Sequence, residues 1–165
     1  MNSGGAFSIR GAMEADLARL LPVVREFYHH FGFVWDETRK EVLLRRMIGE
    51  PGLGQIWIAE SNGDVVGYGL VALYFSLEFD GPAAFLDELY VSPRYRGSGV
   101  GEQLVMDASQ ALVNQGVRVL RLEVDRRHPE AARLYARLGF VADGRESWTK
   151  RLPSRASLTG GPASA

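Results

Sequence analysis

Three glycines at alternate positions, Gly97, Gly99 and Gly101, stand where a strand pattern gives way to a helical one. Residues 86–91 favour a strand, and Pro93 cannot donate to a sheet ladder, so the strand is expected to end near Val91. Glycines lack a Cβ atom and allow backbone N–H groups to converge at a helix start, where the helix dipole is positive. The spacing therefore predicts an anion-binding loop.

Two common nucleotide-binding motifs do not fit this loop. A P-loop needs Lys followed by Ser or Thr after its last glycine, and Glu102 and Gln103 stand there instead. A dinucleotide-binding fingerprint needs a glycine at position 102. A plain glycine-rich turn before a helix remains an alternative for the loop taken by itself.

Asp87, Glu88 and Tyr135 are candidates for proton transfer. The two carboxylates are neighbours on the predicted strand, so their side chains are expected on opposite faces. Tyr135 lies on the apolar face of a predicted helix, where a tyrosine of the core is the alternative. For each carboxylate the alternative is a salt bridge to a nearby arginine.

Composition limits the classes of protein that remain. The 165 residues suffice for one domain, and a net charge of -1 with a pI near 6.3 argues against a nucleic-acid partner. The absence of cysteine excludes disulfides, thiolate metal sites and a cysteine nucleophile. No apolar run has the length of a membrane span and the first residues do not form a signal peptide, so we expect a cytoplasmic protein without a membrane partner.

The elements that position these residues follow from hydrophobic periodicity. We predict a single domain over 1–152 and a disordered tail over 153–165. Asn62-Gly63 predicts a hairpin turn between two strands. The predicted strands span 7–10, 55–60, 65–75, 83–91, 119–124, 140–143 and 147–152. Helices are expected over about 17–31, after Asp36, after Gly101 as far as Gly116, and from Pro129 to Gly139.

Two separate blocks of this sequence, residues 86–101 and 122–140, resemble the GNAT N-acetyltransferase superfamily. Residues 96–101, Arg-Gly-Ser-Gly-Val-Gly, are similar to its pyrophosphate-binding loop, Arg/Gln-x-x-Gly-x-Gly/Ala. Residues 128–140 resemble its segment Asn-x-x-Ala-x-x-x-Tyr-x-x-x-Gly-Phe, with His128 at the usual Asn position. The resemblance implies an α/β (α+β) GNAT fold, a mixed and mostly antiparallel sheet of 6–7 strands with one parallel pair, flanked by about four helices.

The resemblance also implies acetyl-CoA as the cofactor. Tyr135 then matches the acid that protonates the leaving thiolate, and a backbone N–H near Leu89 or Tyr90, freed by a bulge, would stabilise the thioester oxygen. The residues expected to contact the cofactor are Leu89, Tyr90, Val91, Arg94, Arg96, Gly97, Ser98, Gly99, Val100, Gly101, His128, Ala131 and Tyr135.

The sequence offers several candidates for the base that deprotonates the acceptor amine. Asp87 stands where the spermidine/spermine (polyamine) acetyltransferases, which this segment resembles most, carry a catalytic carboxylate, and Glu123 stands where other relatives place theirs. Asp87 is therefore expected first, followed by Glu88 and Glu123, and an ordered water is a further alternative.

The acceptor is expected to be a primary amine of a small molecule, either a polyamine or an amino-acid-like compound. Aromatic and acidic residues that could line its site are Tyr28, Trp35, Asp36 and Glu78, for which helix capping and turn formation are the alternatives. Adjacent His29 and His30 point about 100° apart on a helix, so no metal site is predicted. Protein or peptide N-acetylation is an alternative activity, and a non-catalytic acyl-CoA sensor is the alternative of another class. The resemblance further implies a homodimer.

Overall fold

A computed structural model describes residues 6–125 and 127–153. Over these residues the chain forms five strands and four α-helices, with short 3₁₀ turns at Glu14–Asp16 and Pro93–Tyr95. The strands are β1 (Ser8–Gly11), β2 (Gly54–Ser61), β3 (Asp64–Ser76), β4 (Gly81–Val91) and β5 (Val119–Leu122). The helices are α1 (Leu17–Phe31), α2 (Glu37–Gly49), α3 (Val100–Asn114) and α4 (Pro129–Arg137).

The five strands form one sheet in the order β1-β2-β3-β4-β5. Neighbours from β1 to β4 are antiparallel, and β4 pairs with β5 in parallel. The single parallel pair is the one predicted, because α3 crosses over between the two strands. Asn62 and Gly63 have positive φ angles of 53° and 85°, which confirms the predicted β2–β3 hairpin turn.

The helices cover the sheet on both faces. α1 and α2 bury one apolar cluster, which includes Leu20, Ile58 and Tyr68, and α3 buries the other, which includes Val71 and Leu104. Gly32 ends α1 in the left-handed conformation, at a φ of 70°. Asp36 caps α2 by accepting a hydrogen bond from the Arg39 backbone N–H at 3.0 Å. The amphipathic patterns thus place a helical layer on each side of β4, the strand that carries the candidate carboxylates.

The predicted final hairpin, with strands over 140–143 and 147–152, is wrong: the described residues from 140 to 153 contain no strand. Large apolar side chains in this segment remain in solvent, with Val141 and Trp148 each 88% exposed. The segment forms a local turn instead, in which the Asp143 carboxylate accepts the Arg145 N–H at 3.0 Å and Gly144 has a φ of 74°. A strand needs a partner ladder, and without one the sheet has five described strands instead of the expected 6–7. The predicted tail lies outside the described residues from position 154 onward.

Candidate active site

The parallel pair opens into a cleft beside the second half of β4. The ladder between β4 and β5 ends at the pair Leu86–Leu122, whereas β4 continues as far as Val91. Among the described residues, the backbone groups of 87–91 that face the β5 side therefore have no strand to pair with. Such an edge can accept an extended ligand as if it were an added strand.

The glycine-rich loop leads from this open edge into α3. Gly97 and Gly99 have φ angles of 75° and 88°, in the region that glycine adopts readily. A Cβ atom at either glycine would meet no atom of the described residues within 4 Å, so these residues leave the space above the loop open. No side chain caps α3, and the N–H groups in its first turn lack helical partners. The loop can thus offer several backbone donors to an anion.

Two side chains fix the loop, one to the end of β4 and one to the preceding 3₁₀ turn. Arg96 donates from Nε to the Val91 carbonyl oxygen at 2.9 Å, and its guanidinium lies 5.3 Å from the centre of the Tyr90 ring. The Ser98 hydroxyl donates to the Tyr95 carbonyl oxygen at 2.6 Å. Arg94 lies on the exposed 3₁₀ turn just before the loop. Of the two arginines predicted to accompany the anion site, Arg96 thus binds the end of β4, and Arg94 stands on the turn that leads into the loop.

A β-bulge places Asp87 outside the regular ladder. Leu70 pairs with Glu88 and Val71 pairs with Leu86, so Asp87 has no partner on β3. A bulge was expected near Leu89 or Tyr90. It lies at Asp87, two residues before Leu89, where the pairing register shifts between Leu70 and Val71. Asp87 retains solvent contact, while surrounding protein desolvates its carboxyl group.

Two features of the surroundings of Asp87 change the pKa of its carboxyl group. Desolvation, with a smaller contribution from the Glu123 carboxylate, raises its pKa. Glu123 is exposed and comes directly after the last residue of β5. The two carboxylates thus lie near each other at the opening of the cleft.

The Glu88 side chain points to the layer formed by α1 and α2, on the other side of the sheet from α3. Its carboxylate accepts hydrogen bonds from the Tyr68 hydroxyl at 2.6 Å and the Tyr28 hydroxyl at 3.0 Å. The Tyr28 hydroxyl in turn accepts from Lys40 Nζ at 2.8 Å, and Trp35 packs edge-on against the Tyr28 ring at 5.6 Å. Burial raises the pKa of Glu88, although both tyrosine hydroxyls favour its charged form. We call Tyr28, Trp35, Lys40, Tyr68 and Glu88 the Glu88 cluster.

Tyr135 lies on α4 and packs against the apolar cluster that α3 buries. Its ring packs against Phe140 at 5.6 Å, and burial raises the pKa of its hydroxyl to about 12. Tyr135 and Glu123 both line a groove of about 1640 Å³ that follows β5. The hydroxyl is therefore protonated at neutral pH, as a proton donor must be.

His128, at the helix start, makes contacts of its own. Its ring lies 5.4 Å from Phe31 and 5.8 Å from His30, and Nδ1 lies 3.1 Å from a Glu130 carboxylate oxygen. It makes no side-chain cap to α4. Ala131, which the motif places on the first turn, is half-buried. His128 therefore joins α4 to the end of α1 through ring contacts.

The four residues predicted for the acceptor do not all come together. Tyr28 and Trp35 lie in the Glu88 cluster, whereas Asp36 acts as the α2 cap. Glu78 lies in the β3–β4 turn, where it pairs with Arg145 at 3.0 Å. That turn is roughly 20 Å from Glu88, at about 3.3 Å per strand residue. Across 6–125 and 127–153, no group of three His, Cys, Asp or Glu side chains is placed to hold a metal ion.

Sequence reasoning did not place Tyr68 and Lys40 in the site. Tyr68 reaches Glu88 because Tyr68 pairs with Tyr90 and thus lies diagonally across from Glu88 on one face. A signal for Tyr68 existed in the strand alternation, but using it requires the position of the bulge. Lys40 reaches Tyr28 only because α1 and α2 pack together, which no local pattern specifies.

Comparisons with known proteins assign the family. Residues 20–140 match the Acetyltransferase (GNAT) family, and the chain belongs to that family. Bovine (Bos taurus) thialysine N-epsilon-acetyltransferase is 32% identical over 142 residues, covering 79% of this chain and 82% of the relative. The L-methionine sulfoximine/L-methionine sulfone acetyltransferase of Salmonella typhimurium is 26% identical, covering 81% of this chain and 80% of the relative.

A solved structure agrees with the fold. The crystal structure of an integron cassette protein from the mobile metagenome of Cole Harbour Salt Marsh superimposes with a TM-score of 0.80 at 30% identity, covering 88% of this chain and 91% of the other. The GNAT fold and an acetyltransferase activity are thereby confirmed for this chain. In the described part of the chain, every helix falls short of the length and apolarity that crossing a bilayer requires.

Proposed function

We propose that the enzyme transfers the acetyl group of acetyl-CoA directly to a primary amine of a small molecule, a polyamine or an amino-acid-like compound. The observation that carries this proposal is the open edge of β4 over residues 87–91, which runs into the glycine-rich loop. One cleft would thus combine an unpaired strand edge with a helix start that can bind an anion.

The residues present fit acetyl-CoA. The N–H groups of Val100, Gly101 and Glu102 belong to the first turn of α3, where they have no helical partners, and would bind its pyrophosphate. Arg96 and Arg94 would add positive charge beside it. Acetyl-CoA supplies a thioester whose acetyl carbon accepts a nucleophile. A backbone N–H at the open edge near Leu89 or Tyr90 would donate to the carbonyl oxygen of that acetyl group.

Proton transfer would use groups on both sides of the cleft. The acceptor is an ammonium ion at neutral pH, so it first releases one proton to water and becomes the nucleophilic amine. As the C–N bond then forms and the C–S bond breaks, the nitrogen loses a second proton and the sulfur gains one. Asp87, whose pKa is raised by burial, would take the amine's proton directly or through a water, with Glu123 beside it. Tyr135 holds a proton at neutral pH and would give it to the sulfur.

The acceptor class is supported by relatives and by the Glu88 cluster. Two relatives are named for acetylating thialysine and methionine sulfoximine or methionine sulfone, which are small amino-acid-like molecules. Tyr28, Trp35 and Glu88 would bind such an acceptor through aromatic contact and negative charge.

The test is thiol release from acetyl-CoA in the presence of small amines and peptides. We expect release with a small amine and a decrease in kcat of about 100-fold in Tyr135→Phe, while coenzyme A still binds to the variant. Tyr74→Phe is the matched control, because it removes a hydroxyl near the far end of β3. Tight coenzyme A binding without thiol release from any acceptor would refute transfer and favour a sensor. Release with peptides alone would refute the small acceptor.

The proposal includes a homodimer in which a second copy covers the free edge of β5. The groove along β5 is lined by Leu120, Leu122 and Trp148, and Trp148 is 88% exposed. An uncovered strand edge beside large apolar side chains favours association. Light scattering is expected to give twice the chain mass, and Trp148→Ser to shift the protein toward the monomer. A monomer at 100 μM, a concentration of the order at which weak dimers form, would contradict this part of the proposal.

A further inference from the structure

Lys40 places a cation inside the Glu88 cluster without a carboxylate of its own. It is half-buried, and its ammonium group lies 4.1 Å from the centre of the Tyr28 ring and 2.8 Å from the Tyr28 hydroxyl. Within 6–125 and 127–153, no acidic side chain forms an ion pair with it, whereas Arg25 and Arg45 on the same two helices both have such partners. An ammonium group has three donors, and Tyr28 uses one of them.

The cluster therefore presents two opposite charges close together. Tyr28 accepts from Lys40 and donates to Glu88 at 3.0 Å, so the two charged groups are separated by one shared hydroxyl. The adjoining α1–α2 loop opens to solvent, since Phe33 and Val34 are 53% and 88% exposed. A small molecule bound on this side of the cluster would therefore contact a positive group and a negative group a few ångströms apart.

We infer that Lys40 is a specificity-determining residue that binds the carboxylate of an amino-acid acceptor and selects it over a diamine or polyamine. This inference rests on the proposed transfer to a small amine. A zwitterionic acceptor would satisfy both poles, with its carboxylate on Lys40 and a positively charged group near Glu88. A polyamine carries only positive charges, so Lys40 would repel whichever group lay closest to it.

Lys40 on its own supplies the discrimination, because the other members of the cluster attract cations in general. The Glu88 carboxylate and the rings of Tyr28 and Trp35 would hold an ammonium group of either kind of acceptor. Removal of the Lys40 charge should therefore reduce the preference for a carboxylate without abolishing amine binding. This separates its role from that of a residue needed for the fold or for the chemical step.

The experiment compares acceptors that differ only by a carboxylate. L-lysine is paired with 1,5-diaminopentane, and L-ornithine with 1,4-diaminobutane, in the thiol-release assay with acetyl-CoA. The variants are Lys40→Met, which removes the charge, Lys40→Arg, which keeps it, and Arg39→Met, which removes an exposed charge one residue away. Calorimetric binding of the same acceptors to the coenzyme A complex gives a second readout that needs no turnover.

We expect the parent enzyme to favour the carboxylated member of a pair by about tenfold in kcat/KM, and Lys40→Met to lose that preference through KM. Lys40→Arg should retain most of the preference, and Arg39→Met all of it. An equal loss for both members of a pair would overturn the inference, since it would mean that Lys40 acts only through Tyr28 and Glu88. A parent enzyme that favours the diamines would overturn it as well.

The binding readout distinguishes this inference from the proposed function. If no amine releases thiol while L-lysine still binds more tightly than 1,5-diaminopentane in a Lys40-dependent way, acetyl transfer is refuted and the Lys40 site stands. If the amines react but neither kinetics nor binding depends on the Lys40 charge, the transfer stands and the Lys40 site is refuted.

Discussion

Asp16 anchors the start of the helix that carries Tyr28, and its replacement by Asn should destabilise the enzyme strongly. The residue is 1% exposed and its carboxylate accepts from both Arg10 terminal nitrogens at 2.7 and 2.8 Å. It also accepts from the Met13 backbone N–H at 2.8 Å and from Arg19. Asp16→Asn keeps the shape but removes the charge from this buried network.

The expected loss in the free energy of unfolding depends on the ion pairs that remain after the substitution. Breaking a buried ion pair by neutralising one partner costs about 3–5 kcal/mol. Glu60 still pairs with Arg10 at 2.7 Å and with Arg19 at 2.8 Å, so the loss should lie near the lower limit, about 3 kcal/mol. For a chain of this length that corresponds to a decrease in Tm of about 10 °C.

The effect should depend on pH in a defined direction. Hydrogen bonds from Arg10 hold the pKa of Asp16 well below its usual range in the folded protein, whereas the unfolded chain has a pKa of about 3.9. A lowered folded-state pKa contributes stability above the unfolded value, and that stability is lost as the pH falls toward the folded value. The difference in Tm between the parent and Asp16→Asn should therefore be full at pH 7 and decrease below about pH 4.

The assay is thermal and urea unfolding, followed by circular dichroism at several pH values. Glu50→Gln serves as the control, because it neutralises a carboxylate in an exposed pair with Arg46 at 2.8 Å and should cost no more than about 0.5 kcal/mol. A decrease in Tm for Asp16→Asn no larger than that of the control, or a difference that stays constant as the pH falls below 4, would refute the assignment of Asp16 as the anchor.

Three further predictions concern the site. Gly99→Ala should weaken coenzyme A binding about tenfold by calorimetry, because a φ of 88° costs a side chain about 1–2 kcal/mol and the loop would shift to relieve it; unchanged affinity would speak against the loop as the anion site. Gly67→Ala should lower the free energy of unfolding by about 1–3 kcal/mol in urea, because its Cβ would lie 2.8 Å from the Tyr90 carbonyl oxygen; parent-like stability would contradict this. Glu123→Gln should move the acidic limb of the kcat/KM profile to lower pH, because loss of a negative neighbour lowers the pKa of Asp87; a limb that stays in place would exclude Asp87 as the titrating base.

Local patterns predicted most of the fold. The Asn62-Gly63 turn, the end of α1 at Gly32 and the crossover through α3 each depend on residues close in the chain, and each was confirmed. The prediction of a final hairpin was wrong because an alternation of apolar and polar residues specifies a strand only when a partner ladder exists. Trp148 has no described surface to pack on. Short-range preferences thus determined where elements begin and end, but not which strands find partners.

The site was predictable where it lies within one segment. The anion loop and Tyr135 follow from motifs in the sequence, and their roles stay predictions until tested. The Glu88 cluster depends on the register of β3 against β4 and on the packing of α1 against α2. Neither can be read from a single stretch of sequence, so Tyr68 and Lys40 emerged only from the structure.

Because Asp87 forms the bulge, the pairing of β3 with β4 does not involve this residue. Leu86 and Leu89 face one layer, and Glu88 and Tyr90 face the other, as they would if residue 87 were removed from the chain. The register of the sheet therefore does not depend on Asp87. Its side chain can be replaced, or the residue deleted, and each neighbouring side chain still faces the same layer. Natural or designed variation at this one position can alter the chemistry of the cleft while the framework around it stays the same.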